Sequence, residues 1–230
     1  MKFVILISML LLSILLYYFV VSHKDVQQNK IDKTPPKKMT VREKKERFKK
    51  LLIPAVQTVY AKLMKRYKKI ATDMNEGKNQ KEIEKLKLQY NVLNDEDLLA
   101  CLKPHPVSIV LAQAAMESSW ATSRFFVKAN NIFGMWSVNP KEPRIAAGEK
   151  RDGKRTIWLR KFSSIDDAIR AYYQLMAKGK AFKEFRTLRL KYDDPYKITP
   201  GLDKYSEIGQ VYINEINQVI KYNKFTVYDK

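Results

Sequence analysis

Few side chains in this sequence are equipped for hydrolytic chemistry, and one of them stands in an unusual place. Glu117 is the single carboxylate in PVSIVLAQAAMESSW (106–120), a stretch apolar on nearly every helical face. An acid in such a setting is costly to ionise unless it is paired or put to use. Apolar surroundings raise a carboxyl pKa and keep its proton available at neutral pH, which is what a general acid cleaving a glycosidic bond requires. Spacing alone leaves two readings open, a catalytic acid or a helix-end salt bridge. Gln113 lies one helical turn earlier and on the same side, within reach of the acid. Other chemistries lack parts. With one cysteine, Cys101, and two isolated histidines, His23 and His105, there is no internal disulfide, metal box or Cys-His nucleophile pair. Hydrolysis must therefore rest on carboxylates, and Cys101 and His105 read as structural.

The elements that position Glu117 are mostly helical. A hydrophobic share of 45% supplies a core, while 30% charged residues and 7 glycines favour helix over an all-β sandwich. Helical periodicity runs from Thr40 through Phe48, Leu51, Leu52, Val56, Val59 and Tyr67, with Pro54 expected to kink or restart it. A second amphipathic stretch covers Glu82 to Leu93, and Asn94 with Asp97 reads as an N-cap pair for a short helix. Pro104 and Pro106 then set up the apolar helix of Glu117, expected to be central and to run to about Trp120. Between 137 and 162 the composition changes, and Asp152-Gly153 followed by TIWLRKF marks a β-hairpin. Helices resume with Ser164 and Asp167 as a cap and Gly179 as a stop, and Ser206 is expected to open the last one, to about Tyr222.

The first segment, Phe3 to Val21, is uncharged and long enough to span a bilayer as a helix. Tyr17, Tyr18 and Phe19 occupy the place where a cleaved signal would need small residues, so it reads as a signal anchor, with a cleaved signal as the other option. A basic linker with Pro35-Pro36 comes next. The expected organisation is a membrane anchor at 1–22, a linker at 23–39, a helical extension at 40–93 and a functional domain at 94–230. A net charge of +20, from 44 Lys plus Arg against 24 Asp plus Glu, suits a polyanionic partner: nucleic acid, an anionic membrane surface or a wall polymer.

The string LAQAAMESSWATSRFFVKANNIFGMW (111–136) closely resembles the core motif of glycoside hydrolase family 73, most of all its Bax-type branch. RKFSSIDDAIRAYYQLM and KYSEIGQVYINEI extend the resemblance over about Leu98 to Phe225. Two positions depart from the pattern: Ala121 stands in place of a glycine and Phe126 in place of a small residue. The resemblance implies a lysozyme-like helical domain with a small β-hairpin lobe. It implies an enzyme that needs no cofactor or metal and cleaves peptidoglycan glycan strands after N-acetylglucosamine. Carried over position by position, Glu117 becomes the general acid. Glu149, four residues before Gly153, becomes the second carboxylate, although Lys150 departs from the motif there; Asp152 and Glu142 are its substitutes. Tyr205 matches a tyrosine kept near the cleft. Trp136 is expected to stack on a sugar ring, with Gln113, Asn130 and Asn131 as further substrate contacts, while Trp120 is expected in the core.

This reading requires the body of the protein, a monomer, to lie outside the inner membrane. The positive-inside rule taken alone would favour a cytoplasmic body. Two alternatives share the fold, a lytic transglycosylase yielding an anhydro-sugar and a non-catalytic wall-binding scaffold; the intact Glu117 argues against the second. A nucleic-acid binder would show a basic stripe with interleaved aromatics, whereas the basic residues here are spread along the chain.

Overall fold

A computed structural model describes residues 33–35, 38–148 and 156–229. The expected anchor at Phe3–Val21 lies outside these residues, as do Glu149 and the Asp152-Gly153 turn. The chain divides after Thr34, and Pro35–Lys230 forms one compact unit, so that the stretch from Thr40 to Leu93 belongs to the same body as the helix of Glu117. No single helix among the described residues is long and apolar enough to cross a membrane.

The unit opens with α1, Val41–Asn75, started by a capping box: Glu43 N–H donates to the Thr40 hydroxyl, and the Glu43 carboxylate accepts from Thr40 N–H at 2.7 Å. The helix continues unbroken through Pro54; the missing N–H costs one backbone hydrogen bond, and burial of Phe48, Leu51, Leu52, Val56 and Val59 on one face offsets it. Two short helices come next, α2, Gln80–Tyr90, and α3, Asp95–Leu102, the latter capped by Asn94, whose side chain accepts from Asp97 N–H. Ile83, Leu86, Leu98 and Leu102 meet Ile70 of α1 in a small cluster of their own.

The central element is α4, Val107–Glu117, in which nine consecutive residues from Val107 to Ala115 are buried. Its N-terminus is capped from the far end of the chain, where the Asp229 carboxylate accepts from Ser108 N–H at 2.7 Å, an anion placed against the positive end of the helix. Around it pack α1, the last helix α9, Gln210–Tyr222, and the closing 3-10 turn Phe225–Tyr228. A short α5, Arg124–Ala129, leads to strands β1, Arg144–Ala146, and β2, Trp158–Arg160, paired antiparallel with Ile145 opposite Leu159. Then come α6, Ile165–Lys178, α7, Lys183–Lys191, and the short α8, Pro195–Ile198. The result is mainly helical with a small two-stranded sheet. The last helix begins at Gln210 instead of Ser206, because Gly209, at φ +50, takes a conformation that interrupts the helix.

Candidate active site

Helix α4 stops at Glu117, about one turn earlier than the apolar pattern suggests. The cause is a left-handed turn in which Ser119, Trp120 and Ala121 all have positive φ (51°, 61° and 60°). The Ser118 hydroxyl, fully buried, holds this turn: it donates to Ala114 C=O at 2.5 Å and accepts from Ala121 N–H at 2.8 Å. Arg47 of α1 donates to Ala121 C=O at 2.9 Å. The left-handed backbone explains why a glycine suits position 121; here an alanine occupies it with its methyl buried. Trp120 turns inward onto Phe48, ring centroids 5.3 Å apart and nearly perpendicular, as expected of a core residue.

Ending the helix here places Glu117 at the edge of a cleft of about 720 Å³. The loop after α5 lines it with Phe133, Gly134, Met135 and Trp136, together with Glu142, Arg160, Leu175, Phe182 and Tyr205. Although the Glu117 side chain is open to the cleft, the protein crowded around its carboxyl raises its pKa above the usual range, and a hydrogen bond from Tyr212 opposes that rise. The negative end of the α4 dipole also disfavours the carboxylate. Tyr212 Oη donates to Glu117 Oε1 at 3.0 Å. Oε2 lies beside Gly134, whose φ of +63° suits glycine; a β-carbon there would stand 3.9 Å from that oxygen, an ordinary contact.

The expected site residues fall into two groups. Trp136 and Tyr205 share the cleft with Glu117. Trp136 is 67% exposed and its backbone pairs with Leu159, so β2 holds it while its indole faces outward. Tyr205 stacks on Tyr212, centroids 5.4 Å apart, and burial with the nearby Glu117 charge pushes its phenol pKa far up, so it stays neutral.

Gln113, Asn130 and Asn131, in contrast, are turned to the protein. Gln113 is fully buried and reaches Glu117 through Tyr212, to whose hydroxyl its Nε2 donates at 3.1 Å. Asn130 ends α5 at φ +53, and its amide donates to Phe162 C=O at 2.8 Å. Asn131, 1% exposed, donates to Met135 C=O and Arg160 C=O, both at 2.9 Å, and accepts from Met135 N–H at 2.9 Å. Asn131 thus pins the 132–136 loop to β2, Asn130 ties the end of α5 to Phe162, and Gln113 is bonded to Tyr212 and Tyr172, so all three amides serve the protein behind the cleft and not the substrate contact expected of them. Of the carboxylates considered beside Glu117, Glu149 and Asp152 lie outside the described residues; Glu142 is in the cleft, bridged to Arg160 Nε at 3.2 Å.

Tyr212 is a site residue that the sequence pattern does not single out. Its sign there is a hydroxyl on the face of α9 that otherwise carries the buried Ile213, Ile216 and Ile220.

A family model described as glucosaminidase, mannosyl-glycoprotein endo-beta-N-acetylglucosaminidase, matches residues 98–225. No curated protein sequence matches the chain. Among solved structures, the catalytic domain of the autolysin Auto from Listeria monocytogenes is similar in fold, at 17% identity and a TM-score of 0.51, with 90% of this chain and 96% of that chain covered. A peptidoglycan hydrolase from Sphingomonas sp. A1 (19% identity, 58% and 86% covered, TM-score 0.44) and the glycoside hydrolase domain of FlgJ from Salmonella typhimurium (20%, 56% and 82%, 0.42) give weaker likenesses.

Proposed function

Because the chain belongs to the glucosaminidase family, we propose that it is a peptidoglycan hydrolase that cleaves the glycosidic bond after N-acetylglucosamine, with Glu117 as general acid. The observation that carries this reading is the Glu117 carboxyl itself. It is a single acid at the end of the central helix, open to a cleft, with its pKa raised by its surroundings and opposed by one hydrogen bond. Such a group holds its proton to higher pH than an ordinary carboxyl and gives it to the leaving oxygen as the glycosidic bond breaks.

A second carboxylate then activates water or supports the cation-like transition state. Glu149 is our choice for that role; Glu142 is the less suitable candidate, since its carboxylate is already engaged by Arg160 Nε at 3.2 Å. The exposed indole of Trp136 offers a flat apolar face on which a pyranose ring packs. Peptidoglycan lies outside the inner membrane, so the reading carries with it an extracytoplasmic body tethered by the segment Phe3–Val21. The net charge of +20 suits the anionic polymers of that compartment.

Digestion of purified peptidoglycan by the full chain, with mass spectrometry of the fragments, tests the reaction. Fragments with reducing-end N-acetylglucosamine are expected. Anhydro-sugar ends would assign a lytic transglycosylase instead, and binding without release of fragments would reduce the protein to a wall-binding module.

A further inference from the structure

Behind Glu117 lies a row of buried polar side chains that proton donation does not in itself require. Tyr212 of α9 donates to Glu117 Oε1, and Gln113 of α4 donates to Tyr212 Oη. The Tyr172 hydroxyl of α6 donates to Gln113 Oε1 and meets His105 Nε2 at 3.1 Å. His105 Nδ1 meets Arg189 Nη1 of α7 at 3.3 Å. His105, Gln113 and Tyr172 are fully buried and Arg189 is 1% exposed. The guanidinium is anchored by donating to Ala100 C=O and Cys101 C=O at 3.0 and 3.1 Å.

The direction of every link is set by the last one. A guanidinium has five donors and no acceptor, so His105 Nδ1 must accept, which leaves the imidazole neutral with its hydrogen on Nε2. Burial and the Arg189 charge, both of which hold the imidazole pKa well below its ordinary value, agree with a neutral ring. His105 then donates to Tyr172, whose one hydrogen goes to the Gln113 carbonyl. The Gln113 amide N–H donates to Tyr212, and the one hydrogen of Tyr212 is left for Glu117. Reversing the link to Glu117 would leave the Tyr212 hydrogen without an acceptor, since the other partner of that hydroxyl is the Gln113 amide N–H.

We propose that this one-way relay from Arg189 is a positioning device for the acid: it commits Oε1 of Glu117 to accepting, so the transferable proton resides on Oε2, beside Gly134 in the cleft. The proposal rests on the reading of Glu117 as the acid. Were Oε1 the protonated oxygen, the proton would point into the protein and away from any glycan. As the proton leaves, negative charge develops on the carboxyl, and a chain of donors ending on a cation strengthens in response. His105, Tyr172 and Gln113 are thus positioning residues that act through Tyr212 and do not touch substrate.

The charged and titratable neighbours of the relay are few among the described residues. Tyr212 bonds Glu117 and Tyr205 lines the same cleft, as does the Glu142–Arg160 pair; Arg189, Tyr172 and Tyr173 surround His105. Burial holds the three phenols Tyr172, Tyr205 and Tyr212 neutral. The titration of Glu117 is therefore a direct reporter of the relay.

The full chain labelled with glutamate carrying 13C at the carboxyl, with the Glu117 signal identified by its loss in Glu117→Gln, gives that titration without reference to activity. Tyr212→Phe removes the donor and should raise the Glu117 midpoint by about one pH unit, the order expected for a hydrogen bond to an ionised group. Tyr172→Phe, two links away, should raise it by about 0.1–0.3 unit, in line with polarisation of ~10–30% per bond. The double variant should shift no further than Tyr212→Phe, since Tyr212 is the link through which Tyr172 acts.

An unmoved or lowered midpoint in Tyr172→Phe, or additive shifts in the double variant, would overturn the relay. So would a loss of melting temperature in these variants with no change of midpoint. Should Tyr172→Phe fail to fold, Gln113→Met cuts the same chain and carries the same expectation. Midpoints that move as stated in a protein unable to hydrolyse wall would leave the relay standing and sink the functional reading. Hydrolysis with unmoved midpoints would do the reverse.

Discussion

Replacing Asn131 by alanine tests whether the cleft wall is held as described. The side chain makes three hydrogen bonds to backbone, two donated and one accepted, all at 2.9 Å. At about 1 kcal/mol net for each, their loss should cost about 3 kcal/mol. For a body of this size each kcal/mol moves the melting temperature by about 2–4 °C, so Asn131→Ala should melt about 6–12 °C lower. Asn131→Asp should cost at least as much, because it sets a carboxylate oxygen against the carbonyls of Met135 and Arg160. Calorimetric melts give the first quantity, and glycan hydrolysis at 25 °C, well below the transition, gives the second. Activity should fall in both variants as Gly134 and Trp136 lose their fixed position. A melting temperature within about 1 °C of wild type, with glycan binding selectively lost, would mean that the amide reads the sugar and that the loop is held by something else.

Trp136→Ala should weaken glycan binding by roughly 5–150-fold, by analogy with the ~1–3 kcal/mol of a ring stacked on a base; its melting temperature should scarcely move, since the indole is exposed. Trp120→Ala, which removes a ring packed on Phe48, should instead cost about 3–5 kcal/mol of stability; paired melts and binding titrations separate the two. Glu149→Gln should lower turnover by about 10²-fold with little change in binding, and a larger loss in Glu142→Gln or Asp152→Asn would move the second carboxylate there. The raised pKa of Glu117 also predicts a pH-dependent stability. Below its ordinary pKa of 4.5 both folded and unfolded states hold the proton. As pH rises the unfolded state ionises first, and stability is lost until the folded carboxyl ionises too. Glu117→Gln escapes that loss, so its advantage in melting temperature over wild type should grow as pH rises from 4 through the folded pKa and then level off. A constant difference across that range would contradict the raised pKa.

Local pattern carried much of the fold. Phe48, Leu51, Leu52, Val56 and Val59 mark the buried face of α1, an all-round apolar helix with one acid marks the centre, and the change of composition after 137 marks the strands. The misjudged features depend on tertiary contacts. Pro54 reads as a break because the loss of a hydrogen bond is local, whereas the packing that offsets it is not. The early stop of α4 depends on the Ser118 hydroxyl reaching back to Ala114 and forward to Ala121, which periodicity does not register. Gln113, Asn130 and Asn131 carry amides that fit a sugar or a backbone equally well, and only the positions of β2 and Tyr212 decide between them. Tyr212, Tyr172, His105 and Arg189 come from four separate stretches of sequence, and their convergence behind Glu117 depends on the packing of α9 against α4 and of α6 and α7 against α3.

In the proposed reaction one carboxyl proton, that of Glu117, drives cleavage. Its most direct measurement is the rate of release of soluble fragments from purified peptidoglycan by wild type and Glu117→Gln, both shown to be folded by melting. The amide keeps the shape and can accept from Tyr212, but it has no proton to give. The rate should fall to below about 1% of wild type, the scale on which general acids contribute. Retention of more than that by a folded Glu117→Gln would mean that another group supplies the proton.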